Sequence, residues 1–353
     1  MEKRKSLSEL AEELERQKNS RYDVVVPSDQ LIVLKEGNQI KIDVPLPDGE
    51  TKRHGLTEWA HSQISDKTQI PKKYYDRMRE TSQLDLLASN VNTWLPSKDK
   101  RLVRVLDGDV RALLSDRYRI IDNYDVLFAT LEEFQKLKEE TGINIEIKRA
   151  DLTDQHLYIK ATSPDLTDEV IKTGDRTEPV HGGIIITNSE VGAGAFNVKP
   201  FMNVLVCQNG LIGKHVFKRV HLGREKGIGL IDWSDDTLMK QDDALWAKIR
   251  DMIHGTFTPE VFHKWVDEMN KVASVEIEKP TLAIDNIIKK FDIGKNKKDD
   301  LLNQFAKETN TQWGLAMAVT RIAQDEETYE DQIKMEEIGT EILQTRPEEL
   351  IKE

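Results

Sequence analysis

Cysteine is nearly absent from this sequence, since Cys207 is the only one among 353 residues. A single thiol cannot close an internal disulfide, which fits a protein that works in a reducing cytoplasm. Metal-binding spacings are also missing: neither C-x-x-C nor H-E-x-x-H occurs, and the eight histidines are scattered. We therefore expect no structural zinc site and no metal cofactor.

Long apolar runs are missing as well. No stretch reaches the roughly 18 apolar residues of a membrane-spanning helix. The first twenty residues, "MEKRKSLSELAEELERQKNS", contain no apolar segment followed by a small-residue cleavage site, so we expect no secretory signal. The composition, 38% hydrophobic and 32% charged with a formal net charge of −12, is typical of a soluble globular protein. We expect a cytoplasmic protein with no membrane partner.

Signatures of phosphate-binding loops are absent too. The glycine-rich string "NSEVGAGAF" matches neither G-x-x-x-x-G-K-[ST] nor G-x-G-x-x-G. Its glycines, Gly192 and Gly194, are more simply interpreted as a hairpin bend or a place where two backbones approach closely. The sequence thus predicts no nucleotide cofactor.

Acidic residues are scarce in one part of this acidic chain. Residues 181–227 hold six basic residues against two acidic ones, whereas residues 228–353 hold 16 basic and 27 acidic residues. A buried sheet, a cationic surface for an anionic ligand, or chance would each produce such a stretch. Burial accounts well for residues 201–206 and poorly for residues 214–226, and charge asymmetry of this kind is an argument about partners.

Hydrophobic periodicity predicts an α+β fold, with an antiparallel β-sheet core and packed helices, followed by an acidic and mostly helical C-terminal region. Residues 84–94 and 101–114 are expected to be strands, with Asp107-Gly108 as a hairpin turn, and residues 163–183 a polar loop. The expected organisation is an N-terminal amphipathic helix (1–20), an α+β core domain (21–227), a helical region (228–325) and a charged, frayed tail (326–353).

A first group of basic residues surrounds the predicted hairpin. Seven basic residues against four acidic ones lie between Lys98 and Arg119. Guanidinium groups bind phosphate oxygens bidentately and an aromatic ring can stack on a base, although the same arginines could instead pair with Asp107, Asp109 and Asp116. The nucleic-acid-binding candidates here are Arg101, Arg104, Arg111, Arg117, Tyr118 and Arg119.

A second basic group follows in "GKHVFKRVHLGREKG", where lysine and arginine alternate with apolar residues. An element with one apolar and one cationic face would explain the pattern. Phe196 and Phe217 are further candidates for base stacking. The basic candidates of this group are Lys199, Lys214, Lys218, Arg219, Arg224 and Lys226.

Cys207 supports an alternative hypothesis. A nucleophilic cysteine needs a base that holds it as a thiolate, and His215 and His221 lie near it in sequence, with Asn209 available to orient the base. The simpler interpretation is that Cys207 ends the apolar strand "NVLVC", because free cysteine is among the most buried residue types.

Several motifs together resemble a known family. "GLTEWAHSQISDKTQIPKKYYDRM", "RALLSDRYRIIDNYDVL", "TNSEVGAGAFNVKPFMNVLVCQNGLI" and "KRVHLG" are similar to the phage- and plasmid-borne family numbered 932 among the domains of unknown function. The similarity covers roughly residues 20–225. It implies a mobile-element setting, most often a bacteriophage gene, and a protein located in the cytoplasm of the bacterial host cell. A weaker likeness, in architecture only, is to phage single-strand annealing proteins of the RecT-like and Erf-like kind.

The leading hypothesis from these observations is a recombination protein that binds and anneals single-stranded DNA without a cofactor, as a homo-oligomeric ring or filament. One alternative is a hydrolase or transferase that uses Cys207 with a nearby histidine. Another is a phage structural or host-interaction protein built on the charge-dense helical region.

Overall fold

The computed structural model describes residues 6–173, 176–205, 209–212, 217–219, 227–228, 231–232 and 234–351. Its first sheet has six strands in the order β1-β5-β6-β4-β3-β2. The β4 and β6 strands pair in parallel, whereas the other neighbours pair antiparallel. The strands are β1 (Arg21–Pro27), β2 (Ile32–Glu36), β3 (Gln39–Pro45), β4 (Thr51–Leu56), β5 (Lys100–Leu106) and β6 (Asp109–Ser115).

Three helices, α2 (Glu58–Thr68), α3 (Lys72–Glu80) and α4 (Leu84–Trp94), share a hydrophobic core with this sheet. The prediction of a strand at residues 84–94 is wrong. Leu84, Leu87 and Val91 are buried at the i, i+3, i+7 spacing of a helix, and a short apolar run does not by itself distinguish the two periods.

The hairpin of β5 and β6 is confirmed. Its turn uses Asp107 and Gly108 with φ of 53° and 89°, the positive φ values that the Asp-Gly pair tolerates.

The second sheet is antiparallel throughout its described strands, in the order β11-β10-β9-β8-β7, with β12 also paired to β10. The strands are β7 (Glu146–Leu152), β8 (Leu157–Thr173), β9 (Arg176–Asn188), β10 (Phe196–Val204), β11 (Asn209–Ile212) and β12 (Phe217–Arg219), and β13 (Gly227–Ile228) and β14 (Ile231–Asp232) form a separate pair.

The polar loop predicted at residues 163–183 is instead part of the long hairpin of β8 and β9. Val170 and Val180 are buried there, because the hairpin packs one face on the core. In β8 the exposed Thr167 and Glu169 alternate with the buried Leu166 and Val170 and with Asp168 between them, as expected for a strand with one face on the core.

One core contains the second sheet together with α1, α5 and the C-terminal helices, so it crosses the boundary at residue 228 that the sequence predicts. The segment expected to be a frayed tail forms α11, whose Ile338, Ile342 and Leu343 are buried. These helices are α1 (Leu7–Ser20), α5 (Asn123–Thr141), α6 (Asp235–Thr256), α7 (Pro259–Ala273), α8 (Pro280–Lys290), α9 (Lys298–Phe305), α10 (Gln312–Ile322), α11 (Tyr329–Gln344) and α12 (Pro347–Leu350).

The predicted α+β class, with largely antiparallel sheets and packed helices, is therefore confirmed. Among the described helices, none combines the length and the apolar character needed to cross a bilayer.

Candidate nucleic-acid interface

The bend between β9 and β10, residues 189–195, contacts the first sheet and its helix α2; we call it the Gly-rich bend. Trp59 Nε1 and Gln63 Nε2 each donate a hydrogen bond to the Val191 carbonyl at 2.8 Å. The Tyr118 hydroxyl donates to the Ser189 carbonyl at 2.9 Å. Three of the motifs that carry the family resemblance thus meet at this bend.

Glycine is required in the bend because the two sheets approach closely there. Gly192 has φ of +75°, and a β carbon added to it would lie 2.7 Å from Leu114 Cδ2. A β carbon on Gly194 would lie 2.8 Å from His156 Nε2. The interpretation of these glycines as a hairpin bend is confirmed, and the atoms nearest to an added β carbon belong to side chains.

Arg104 lies at the centre of a buried ionic cluster behind the bend. Its side chain is fully buried, with Nε and Nη2 at 2.9 and 3.0 Å from the Asp23 carboxylate and Nη2 at 3.0 Å from Asp122 Oδ1. Nη1 donates to the Glu190 carbonyl at 2.9 Å. Burial alone would raise the pKa of Asp122, but Arg104 and Arg21 outweigh it and hold that pKa below its usual range.

Arg111 and Arg21 complete the cluster around Glu190. Arg111 Nη1 lies 2.6 Å from Glu190 Oε2, and Glu190 Oε1 accepts a hydrogen bond from the Asn123 backbone N–H at 2.6 Å. Arg21 Nη2 lies 2.5 Å from Asp122 Oδ2. Burial lowers the pKa of Arg111, and Glu190 offsets part of that effect. We call the six residues of this set the junction cluster: Arg21, Asp23, Arg104, Arg111, Asp122 and Glu190.

Three of the predicted phosphate-binding arginines are thus internal. Arg104 and Arg111 belong to the junction cluster, and Arg119 is buried with Nε 3.4 Å from Asp242 Oδ1 on α6. We withdraw these three from the interface, because a buried ion pair cannot also contact the phosphates of a strand.

Two of the predicted arginines are accessible at one end of the hairpin, Arg117 fully and Arg101 in part. The Arg101 side chain is 20% exposed, lies 3.5 Å from Asp99 Oδ2 and donates from Nε to Ser28 Oγ at 3.2 Å. Arg101 pairs with Ser115 across the hairpin, and Arg117 is exposed, with its backbone N–H donating to Ser115 Oγ at 3.2 Å. Lys67, at the end of α2, is close enough to Arg101 for their charges to interact: burial lowers its pKa, and Arg101 lowers it further. The sequence did not single out Lys67. We call Lys67, Arg101 and Arg117 the hairpin basic edge.

The aromatic candidates are less exposed than expected. Tyr118 is half-buried and its hydroxyl is engaged by Ser189, while Phe196 is fully buried in the main core. Neither ring is free to stack on a base, so the stacking prediction is withdrawn for both.

The second basic segment reaches the opposite side of the bend. Within β12, Lys218 pairs with Asn197, and Arg219 pairs with Phe196, the first strand residue after the bend. Lys199 forms an ion pair with Glu337 of α11 and is withdrawn from the interface. The other predicted residues lie outside the described residues: Lys214, Arg224 and Lys226, and with them Cys207, His215 and His221.

The Gly-rich bend therefore lies between the hairpin basic edge and the backbone of β12. Within the ranges that the structure describes, no set of three His, Cys, Asp or Glu side chains is placed to hold a metal ion. The chemistry available at this site is ionic and hydrogen-bonding.

The chain matches the family described as domain of unknown function DUF932 over residues 111–349. It belongs to that family. No curated protein and no solved structure matches the chain. The DUF932 match begins at Arg111, later than the residue 20 expected from the motifs. It continues through α11 and so includes the helical region that the motifs left outside. Three members of the junction cluster, Arg111, Asp122 and Glu190, and the whole Gly-rich bend fall within it.

Proposed function

We propose that this DUF932 protein binds single-stranded DNA and anneals complementary strands during recombination of a mobile element, without a nucleotide cofactor. The observation that supports it is the convergence of two basic segments on the Gly-rich bend. The hairpin basic edge lies on one side of the bend, and β12, inside the second basic segment, pairs with β10 on the other.

The electrostatics of the chain suit such a site. Residues 181–227 carry an excess of four positive charges, although the whole chain carries −12. Lysine and arginine that contact phosphates release condensed counterions, which supplies affinity without regard to base sequence. The acidic helical region repels DNA elsewhere, and so favours the bend as the place of contact.

The buried arginines of the junction cluster fix the position of the interface. The junction cluster, with three arginines and three carboxylates, is internally balanced and joins the hairpin to the bend. A DNA strand bound at the hairpin basic edge would therefore contact a surface whose two parts, the hairpin and the Gly-rich bend, are already held in place. Preorganisation of this kind lowers the entropic cost of binding.

The test is a salt titration with a labelled dT oligonucleotide. We expect binding at low salt, with affinity falling as salt rises. The double variant Arg101→Gln/Arg117→Gln should weaken binding and lower the slope of log K against log salt by about 1.4, since each lost phosphate contact on a single strand contributes roughly 0.7. Duplex formation from two complementary labelled strands, measured without nucleotide, tests annealing.

The matched control is Lys289→Gln/Lys295→Gln, which removes the same charge from exposed positions in and after α8. It should leave the slope unchanged. The proposal is overturned if the parent protein shifts no oligonucleotide at low salt, if the hairpin variant and the control behave alike, or if the parent fails to accelerate duplex formation.

A further inference from the structure

A cavity of about 210 Å³ lies beside the junction cluster, and nothing in the function proposed above uses it. It opens between the β5–β6 turn, the start of α5 and the β7–β8 turn. Thr57, Asp109, Arg111 and Glu190 are among the residues that line it. The cavity therefore combines a buried cation with carboxylates at one place between the two sheets.

Arg111 enters this cavity because the hairpin is irregular at its position. Arg104 pairs with Ala112 and Val105 pairs with Val110, so Arg111 is the extra residue of a β-bulge. Bulges occur often beside functional sites, where they redirect a side chain. Asp109 and Arg111 both line the cavity, while Val110 between them is buried in the core of the first sheet.

The guanidinium of Arg111 is only half satisfied. Its Nη1 binds Glu190, but Nε and Nη2 are buried and have no hydrogen-bond partner among the described residues. These two N–H groups form one side of the planar guanidinium fork, which matches a pair of adjacent acceptor atoms. A buried donor without a partner costs about 1–3 kcal/mol, so a ligand that supplies two acceptors would recover that cost.

The charges around the cavity disfavour an anionic group inside it. Asp107, Asp109 and Asp154 line it together with Glu190, whose two oxygens already accept from Arg111 and Asn123. Asp107 is paired with Arg16, and Glu190 is paired with Arg21 and Arg111, so a phosphate or carboxylate group would still face the carboxylates of Asp109 and Asp154. The group that fits inside the cavity is neutral and carries two adjacent acceptors together with donors for a carboxylate.

We propose that the cavity binds a guanine base. Guanine presents O6 and N7 to an arginine fork, and its N1–H and exocyclic amino group can donate to a carboxylate, here that of Asp109. Arg111 and Asp109 are two residues apart on one strand, roughly 7 Å, which is the scale of a purine. Leu106, Leu152 and Val191 supply apolar surface for the base.

The base has two sources: a nucleotide of a bound single strand, turned into the cavity, or a free guanine nucleotide. The first source rests on the function proposed above, and the second does not. The experiment therefore has a strand arm and a nucleotide arm, each using the full-length protein.

The strand arm compares dT oligonucleotides that carry one central dG, 7-deaza-dG, inosine or dA. We expect dG to bind at least about fivefold more tightly than 7-deaza-dG, which lacks the N7 acceptor, or dA. Inosine lacks the exocyclic amino group and should bind less tightly than dG. In Asp109→Asn the difference between dG and inosine should disappear. Because three of these comparisons use the unaltered protein, they do not depend on the stability of a variant.

The nucleotide arm titrates GMP and AMP in the absence of DNA. GMP binding without AMP binding supports the free nucleotide as the source, and discrimination in the strand arm supports the bound strand. The inference is overturned if neither arm favours guanine. In that case the function proposed above still stands if the dT oligonucleotide binds. If the protein binds GMP but not the dT oligonucleotide, the function proposed above is disproved and the guanine inference stands.

Discussion

Arg111 Nη1 donates to Glu190 Oε2 across 2.6 Å, and the two residues belong to different sheets of the molecule. Arg111 lies in β6, and Glu190 follows β9 by two residues. The other oxygen of Glu190 accepts from the backbone N–H of Asn123, where α5 begins. One carboxylate thus joins the first sheet, the second sheet and a helix N-terminus, where a negative charge is also favoured by the helix dipole.

Replacing Arg104 with methionine should destabilise the protein strongly. The substitution would leave Asp23 and Asp122 without their shared partner, and breaking a buried ion pair from one side costs about 3–5 kcal/mol. Urea denaturation followed by circular dichroism gives the free energy of unfolding. Arg117→Met on the same hairpin is the control and should change that free energy by no more than about 0.5 kcal/mol, since Arg117 is exposed. Equal effects of the two variants would contradict the ionic cluster.

Gly192→Ala should destabilise the fold by about 1–3 kcal/mol. The residue has φ of +75°, and the new methyl group would meet Leu114 Cδ2 at 2.7 Å. Gly255→Ala in α6 is the matched control, because no atom lies within 4 Å of the added carbon and alanine is the better helix former. Thermal unfolding should show a lower Tm for the first variant and an equal or higher Tm for the second. A neutral Gly192→Ala would disprove the close approach at the bend.

His61 should make the protein less stable in mild acid. Burial lowers the pKa of His61 to about 4, and its Nδ1 is 2.8 Å from the Tyr75 hydroxyl. The unfolded chain, with a pKa of about 6.5, binds the proton more readily, so stability is complete above pH 6.5 and is lost as pH falls toward 4. The loss should approach roughly 3 kcal/mol at about 1.4 kcal/mol per pH unit.

The measurement is the free energy of unfolding at several pH values between 4 and 7, for the parent and for His61→Gln. The variant should be less stable at pH 7 and should show a shallower dependence on pH in this window. Parallel curves would mean that another group is responsible for the acid sensitivity.

Cys207→Ala should leave DNA binding and annealing intact. The proposed function needs no nucleophile. Cys207 follows the apolar sequence "NVLV", and free cysteine commonly packs among apolar residues. Far-ultraviolet circular dichroism checks the fold, and the oligonucleotide assays check the function. Loss of function with an unchanged spectrum would favour the cysteine-dependent enzyme instead.

Local residue preferences were sufficient to predict several elements of the fold. The Asp107-Gly108 pair predicts the β5–β6 hairpin, because positive φ at both positions selects such residues whatever surrounds them. Gly192 of the bend was interpreted correctly for the same reason, since its φ is +75°. The helix α4 was not, since an eleven-residue apolar segment satisfies both strand and helix patterns until its neighbours are known.

The basic residues show where sequence reasoning stops. It identified a hairpin rich in arginine, on which Arg117 is exposed and Arg101 partly exposed. It could not show that Arg104 binds Asp23 and Asp122, because those partners are 81 and 18 residues away in the chain. Nor could it show that Arg111 keeps two donors unpaired beside a cavity.

The amino-acid sequence by itself determined the α+β class and the β5–β6 turn, which depend on short-range periodicity and backbone preference, and it carries the motifs that resemble the family. Only the tertiary structure decided which charges are buried, which remain on the surface and which meet at the Gly-rich bend. The physical reason is that a charge is neutralised inside a protein by partners that folding brings from distant segments, and their separation in space is not encoded in any local pattern.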